Sequence, residues 1–196
     1  MARINAKEDA KKKIIAAALD IAAEHGWDAV TLDAIAQNIG VTKPALYSYF
    51  ENREALLRDV LFEVFRNIRS ELETTLADDD DIHHIIRNLA ELLFEKQKFY
   101  ANLFFQLPFR LIQDPRNREE FAIIFDKSRS VIRDCLARAK SREKLPRDVD
   151  PDEAACIIIA MTMGLQFGSP SMGMDVNAEK KIWIRTVERF LLIGLK

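Results

Sequence analysis

One stretch of eleven residues, "GVTKPALYSYF" (Gly40–Phe50), is dense in groups that can meet a polyanion. Lys43 and Tyr47 stand four apart, so on a helix they share a face. Lys43 can meet a phosphate or a guanine edge, and Tyr47 and Tyr49 can donate to phosphate oxygens. Pro44 and Ala45 can touch thymine methyls. Arg53 follows on the rim of the same surface. Val41, Leu46 and Phe50 have the opposite character: Leu46 and Phe50, four apart, anchor the helix to a body, and Val41 plugs the angle before it. One side is held and the other is free to read a groove.

These side chains need helices to place them. Residues 8–25 carry Ile14, Ile15, Ala18, Leu19 and Ala22 at helical spacing, and His25-Gly26 stops the run. Thr31 caps a short helix with Leu32, Ile35, Ala36 and Ile39 inward. Gly40 takes the positive φ of a turn. Thr42 caps the next helix, whose first turn tolerates Pro44 because its N–H would be unpaired anyway. A helix over 31–38, a tight turn and a helix over 43–49 give helix-turn-helix spacing.

The rest of the chain also reads as helices. A long amphipathic helix follows Phe50, with Leu57, Val60, Leu61, Val64, Phe65, Ile68 and Leu72 on one flank. Further helices are expected from "DDDD" to about Tyr100, over 117–141, over 152–167 with "GSPSMGMD" as the breaker, and over 178–195. No alternating strand pattern of useful length appears. The expected class is all-α, with about nine helices.

Composition bounds the function. The 196 residues are 48% hydrophobic and 31% charged, which describes a soluble globular protein. Cys135 and Cys156 show no paired spacing and fit a reducing cytoplasm. The longest apolar run, "AACIIIAMTMGLQF", is shorter than the roughly 18 residues of a membrane span. Net charge is −2, and residues 1–53 hold seven Lys and Arg against seven acids. A case for nucleic acid therefore rests on where charges lie, not on their sum. No nucleophile elbow, HExxH, phosphate loop or paired-carboxylate motif is present, so the chain is read as a non-enzyme. A protein-interaction adaptor that uses the helix-turn-helix only for packing is the alternative.

The segment "TLDAIAQNIGVTKPALYSYFENREALL" resembles the N-terminal DNA-binding signature of the TetR family of transcriptional regulators. The shared features are Thr31, Ile35-Ala36, the Gly40-Val41-Thr42 turn, Leu46, Tyr47, Tyr49, Phe50 and the basic Arg53. The family usually has Lys where Arg53 stands, and often Gly or another residue in place of Pro44. The resemblance implies a DNA-binding domain over 1–52, with Thr31, Thr42, Lys43, Pro44, Tyr47, Tyr49 and Arg53 at the DNA. It implies an effector-binding and dimerisation domain over 53–196, in a homodimeric repressor of operator DNA released by a small molecule. The last two helices would pair across a two-fold axis. The small Ala160 and Gly164, and the stripe Trp183, Val187, Phe190 and Leu191, suit that interface.

An apolar effector pocket is expected among Phe94, Phe104, Phe105, Phe125, Met161 and Phe167, where the alternative is plain core. Asp78–Asp81 with His83 and His84 have carboxylate–imidazole spacing for a divalent metal, or simply open a helix with acids that suit its dipole. No metal or other cofactor is assigned. Arg87 and Arg110 can meet a ligand carboxylate or lie on the surface. Lys11–Lys13 flank the first helix, on the solvent side or near DNA phosphate.

Overall fold

The computed structural model describes residues 2–77, 81–95 and 113–193, without side chains for 2–6, 95, 167–172 and 193. Its described residues hold α-helices, one 3₁₀ turn and no strand. The helices are α1 (Ala2–His25), α2 (Leu32–Ile39), α3 (Lys43–Tyr47), α4 (Arg53–Thr75), α5 (Ile82–Glu95), α6 (Pro115–Ser141), α7 (Pro151–Met172) and α8 (Val176–Ile193). The all-α expectation holds, with a small N-terminal helix-turn-helix followed by a larger helical part.

Two compact units divide within α4, between Phe65 and Arg66. In the first, Ile14, Ile15, Ala18, Ile35, Leu46, Phe50, Leu56, Val60 and Leu61 form the core. Gly26 (φ 81°) turns the chain out of α1 into the 3₁₀ turn Trp27–Ala29. Thr31 caps α2 by accepting from the Ala34 amide at 3.1 Å. Gly40 (φ 69°) closes α2, with the Val41 amide reaching back to the Ala36 carbonyl at 3.0 Å. That six-residue closure needs a left-handed residue at Gly40, where any Cβ would be strained. Asn52 caps α4, its Oδ1 accepting from the Ala55 amide at 2.9 Å.

The second unit packs α5, α6, α7, α8 and the end of α4 around Trp183, which is fully buried. Its indole N–H donates to Thr162 Oγ1 at 2.8 Å, and that hydroxyl donates to the Ile158 carbonyl at 2.7 Å. Phe94 meets the indole edge-on, with centroids 6.0 Å apart. Three of these helices open on aspartate: Asp81, Asp150 and Asp175 each accept from two amides of the following turn. α6 closes without glycine, Glu143 taking the left-handed conformation (φ 58°) while the Lys144 amide reaches the Ala139 carbonyl.

Two expectations are corrected. "GSPSMGMD" does not break the helix at 167, because α7 continues through Pro170 to Met172. A proline removes one amide from the ladder, and the chain leaves the helix only at Gly173 (φ 64°). Trp183, Val187 and Leu191 face their own protomer's core rather than a partner.

Asp150 shows what such a cap contributes. The Glu153 amide, then the Asp152 amide, hold its carboxyl below the usual carboxylate range. A folded-state value below the unfolded one, about 4, means stability that is full above that pH and lost as pH falls. Asp150→Ala should lower the melting temperature at pH 7 by removing this cap. The gap between the melts of parent and variant should narrow as pH falls below about 4; a gap that stays unchanged as the pH is lowered refutes the assignment.

Candidate nucleic-acid interface

α3 is five residues long, too short to hold itself. Its position comes from Leu46 and Phe50, which are 1% and 2% exposed, and from Ile35 and Ala36, buried on α2 opposite. Phe50 is held on a second side by Lys11, whose Nζ lies 5.4 Å from the ring centroid. Lys11 also pairs with the nearly buried Asp59 of α4, and Arg58 Nε donates to the same carboxylate at 3.0 Å. Lys11 is thus committed to the protein body, while Lys12 and Lys13 are exposed.

The opposite edge of α3 faces out. Thr42, Lys43, Pro44, Ala45 and Tyr47 are exposed, Tyr47 by 49%, and Tyr49 is half-buried. Thr42 stands at the N-cap but its hydroxyl makes no cap bond; its carbonyl alone accepts, from the Ala45 and Leu46 amides. Ser48 turns inward on its own helix, donating to the Ala45 carbonyl at 2.6 Å. Val41 is 40% exposed. It stands open to solvent instead of plugging the interhelical angle, while Leu46 is buried.

Lys43 and Arg53 differ from the simple picture of free cations. Lys43 Nζ lies 2.8 Å from each oxygen of Asp33, and that hydrogen bond raises the lysine's pKa. Arg53 Nε donates to the Val30 carbonyl at 2.7 Å and its Nη2 to the Trp27 carbonyl at 2.8 Å. The guanidinium ties the start of α4 to the turn between α1 and α2. This clamp leaves no signature in spacing, since its acceptors are backbone atoms 23 and 26 residues away.

Of the residues expected to line an effector pocket, Phe94, Phe125 and Met161 are described with their side chains. Phe94 is core against Trp183, and half-buried Phe125 stacks on Phe121 with centroids 6.3 Å apart. Met161 is half-buried at the edge of the same core. Phe104, Phe105, Arg110 and the Phe167 side chain lie outside the described residues. Ala160 and Gly164 are exposed, and Phe190 is half-buried. His83 Nδ1 lies 3.2 Å from Glu188 Oε1, and Arg87 is exposed. Among the described residues no three His, Cys, Asp or Glu side chains gather as a metal site; Asp78–Asp80 fall outside them. No described helix is long and apolar enough to cross a membrane.

Residues 14–60, which contain α2, α3 and the start of α4, match the family model of the bacterial regulatory proteins of the tetR family. The chain is similar to the TetR family over this N-terminal segment. The Staphylococcus epidermidis negative transcriptional regulator of the biofilm operon icaADBC, IcaR, is 29% identical over 97 residues. That match covers 50% of this chain and 52% of IcaR. The class A tetracycline repressor of Escherichia coli is 40% identical over 75 residues, covering 38% of this chain and 34% of the repressor. The chain thus spans about half or less of these relatives. Thermus thermophilus FadR, a TetR-family repressor solved with lauroyl-CoA, shares the fold over 95% of both chains, with a TM-score of 0.63 at 19% identity.

Arg53 has a role separable from DNA. Arg53→Ala should lower stability by roughly 1.5–3 kcal/mol, the range for hydrogen bonds to a charged group. Arg53→Lys should recover little, since an ammonium does not match two fixed carbonyls as a planar fork does. Urea denaturation showing both variants as stable as the parent rules the clamp out.

Proposed function

We propose that this chain is a homodimeric transcriptional repressor of the TetR family that binds operator DNA and is released by a small, mainly apolar ligand. One observation carries the DNA part. The exposed edge Thr42-Lys43-Pro44-Ala45 with Tyr47 stands opposite the buried Leu46 and Phe50, as a groove-reading helix requires. Tyr47 and the unused Thr42 hydroxyl supply donors for phosphate oxygens or base edges. The family match supports this reading, and the relatives are regulators rather than enzymes.

Dimer formation is supported by what α7 and α8 leave uncovered. Ile157, Ala160 and Gly164 follow at three and four residues along one exposed face of α7, and Ile182 is exposed on α8. A Cβ at Gly164 would meet nothing within 4 Å in its own chain. Its smallness is therefore not needed by the protomer, and it suits a partner helix at close range. The apolar ligand is supported by the aromatic run between Phe94 and Phe109 and by the lauroyl-CoA held by T. thermophilus FadR.

The DNA test is fluorescence anisotropy with the duplex upstream of the protein's own gene. The parent should bind it with a steep salt dependence, and Tyr47→Ala should weaken binding by roughly 1–3 kcal/mol with an unchanged melt. Lauroyl-CoA added to the complex should lower affinity if the ligand prefers the unbound spacing. Equal binding by parent and Tyr47→Ala refutes the surface, and a ligand that raises the melting temperature without moving affinity refutes release.

Assembly is tested apart from DNA. Gly164→Leu should keep the helical content and give a monomer in sedimentation at micromolar concentration, where the parent is a dimer. A monomeric parent overturns this part.

A further inference from the structure

The apolar anchors of α3 fix its depth but not its tilt. Burial of Leu46 and Phe50 is favourable whichever way the ring lies, because the hydrophobic effect has no direction. A directional contact comes from outside α3. Asp59, in the second turn of α4, has a side chain only 12% exposed, and its two oxygens have separate partners. Oδ1 accepts from Arg58 Nε at 3.0 Å, and Oδ2 pairs with Lys11 Nζ of α1. The same Nζ lies over the Phe50 ring, 5.4 Å from its centroid. From that ring the reading edge is one backbone turn away. The Tyr49 and Phe50 amides donate to the Leu46 carbonyl at 2.9 and 3.0 Å, and Tyr47 adjoins Leu46.

A carboxylate so far removed from water is costly unless it is paired in good geometry. Asp59 therefore admits few placements of α1 against α4, where apolar contacts alone would tolerate several. Arg58 holds one oxygen and leaves the other for Lys11. Lys11 in turn sets a charge over the face of Phe50, an attraction that depends on the face and not the edge being presented. We propose that Asp59 is a positioning residue for DNA recognition: through Lys11 it sets the tilt of the Phe50 ring and hence of the exposed edge of α3. This inference rests on the DNA-binding reading above and adds to it a nearly buried residue that is not on the reading edge.

The sign of the effect separates this role from a purely electrostatic one. Neutralising an acid in a DNA-binding domain relieves repulsion from phosphate and strengthens binding to every sequence. Losing a positioning carboxylate weakens binding instead.

The test uses the duplex of about 30 bp, long enough for two half-sites, that the parent enriches most strongly from a randomised pool. Thermal melts set a temperature at which every variant is folded, and affinity is measured there by fluorescence anisotropy. Asp59→Asn keeps the shape and removes the charge. It should weaken binding roughly 5- to 150-fold, the range for one lost base contact. Lys11→Met should do the same, and Lys11→Arg, which keeps the cation, should recover most of the affinity. Lys11→Met combined with Asp59→Leu replaces the pair by apolar groups, which should restore the melting temperature. That double variant should still bind weakly, and it carries the test where Asp59→Asn does not fold.

Four results overturn the proposal in distinguishable ways. Folded Asp59→Asn that binds as tightly as the parent, or more tightly, removes the positioning role. A double variant that recovers affinity together with stability makes the pair a packing element alone. Lys11→Met that lowers the salt slope by about 1, while Asp59→Asn binds like the parent, makes the lysine a phosphate contact. A folded parent that enriches no sequence removes the DNA-binding reading itself.

Discussion

Everything at the candidate interface depends on burying Leu46 and Phe50. A five-residue helix cannot repay the cost of its first turn in water, so α3 exists only as far as its inner face is held. Each of those side chains contributes roughly 1.5–3 kcal/mol by leaving water, which is enough to order one turn. The supports around them follow from this need. Ala36 is small where α2 must come close, and Gly40 turns the chain without strain. Lys11 covers the Phe50 ring while pairing with Asp59, and Asn52 and Arg53 start α4 directly beyond the anchor. The outward edge of α3 is thus placed by contacts that lie on its other side.

That dependence explains which features were legible in the sequence. Helical periodicity and the Thr31 and Gly40 signals were visible because they act within a few residues. Ile35, Ala36, Leu46 and Phe50 accordingly stand where they were expected. Periodicity tells that a face is apolar and not which body it meets. Trp183, Val187 and Leu191 therefore read as partner-facing, while the structure turns them into their own core and leaves Ile157 and Ile182 exposed. Val41 failed for a related reason: one apolar residue after a glycine turn has no period to fix its direction.

Long polar side chains were the least legible. Arg53 reaches two backbone carbonyls that any sequence would offer, so no residue type marks its partners. Lys43 and Asp33 meet only because Gly40 folds α3 back beside α2, which makes positions ten apart into neighbours. The proline in "GSPSMGMD" misled in the other direction. Its missing amide costs a single bond in a helix of 22 residues, and the left-handed Gly173 decides the end.

The committed cations also bear on how such a surface would meet DNA. Of the seven Lys and Arg in residues 1–53, Lys11, Lys43 and Arg53 are engaged with Asp59, Asp33 and backbone carbonyls. With seven acids in the same stretch, little free positive charge is left for counterion release from one protomer. A non-specific, charge-driven complex would therefore be weak. Affinity would have to come from the geometry of Tyr47 and Thr42, and from two protomers binding at once. Low background binding raises the ratio of specific to non-specific affinity, which is what a regulator searching a genome needs. The neutrality that argues against a basic DNA-binding domain is, on this geometry, compatible with a selective one.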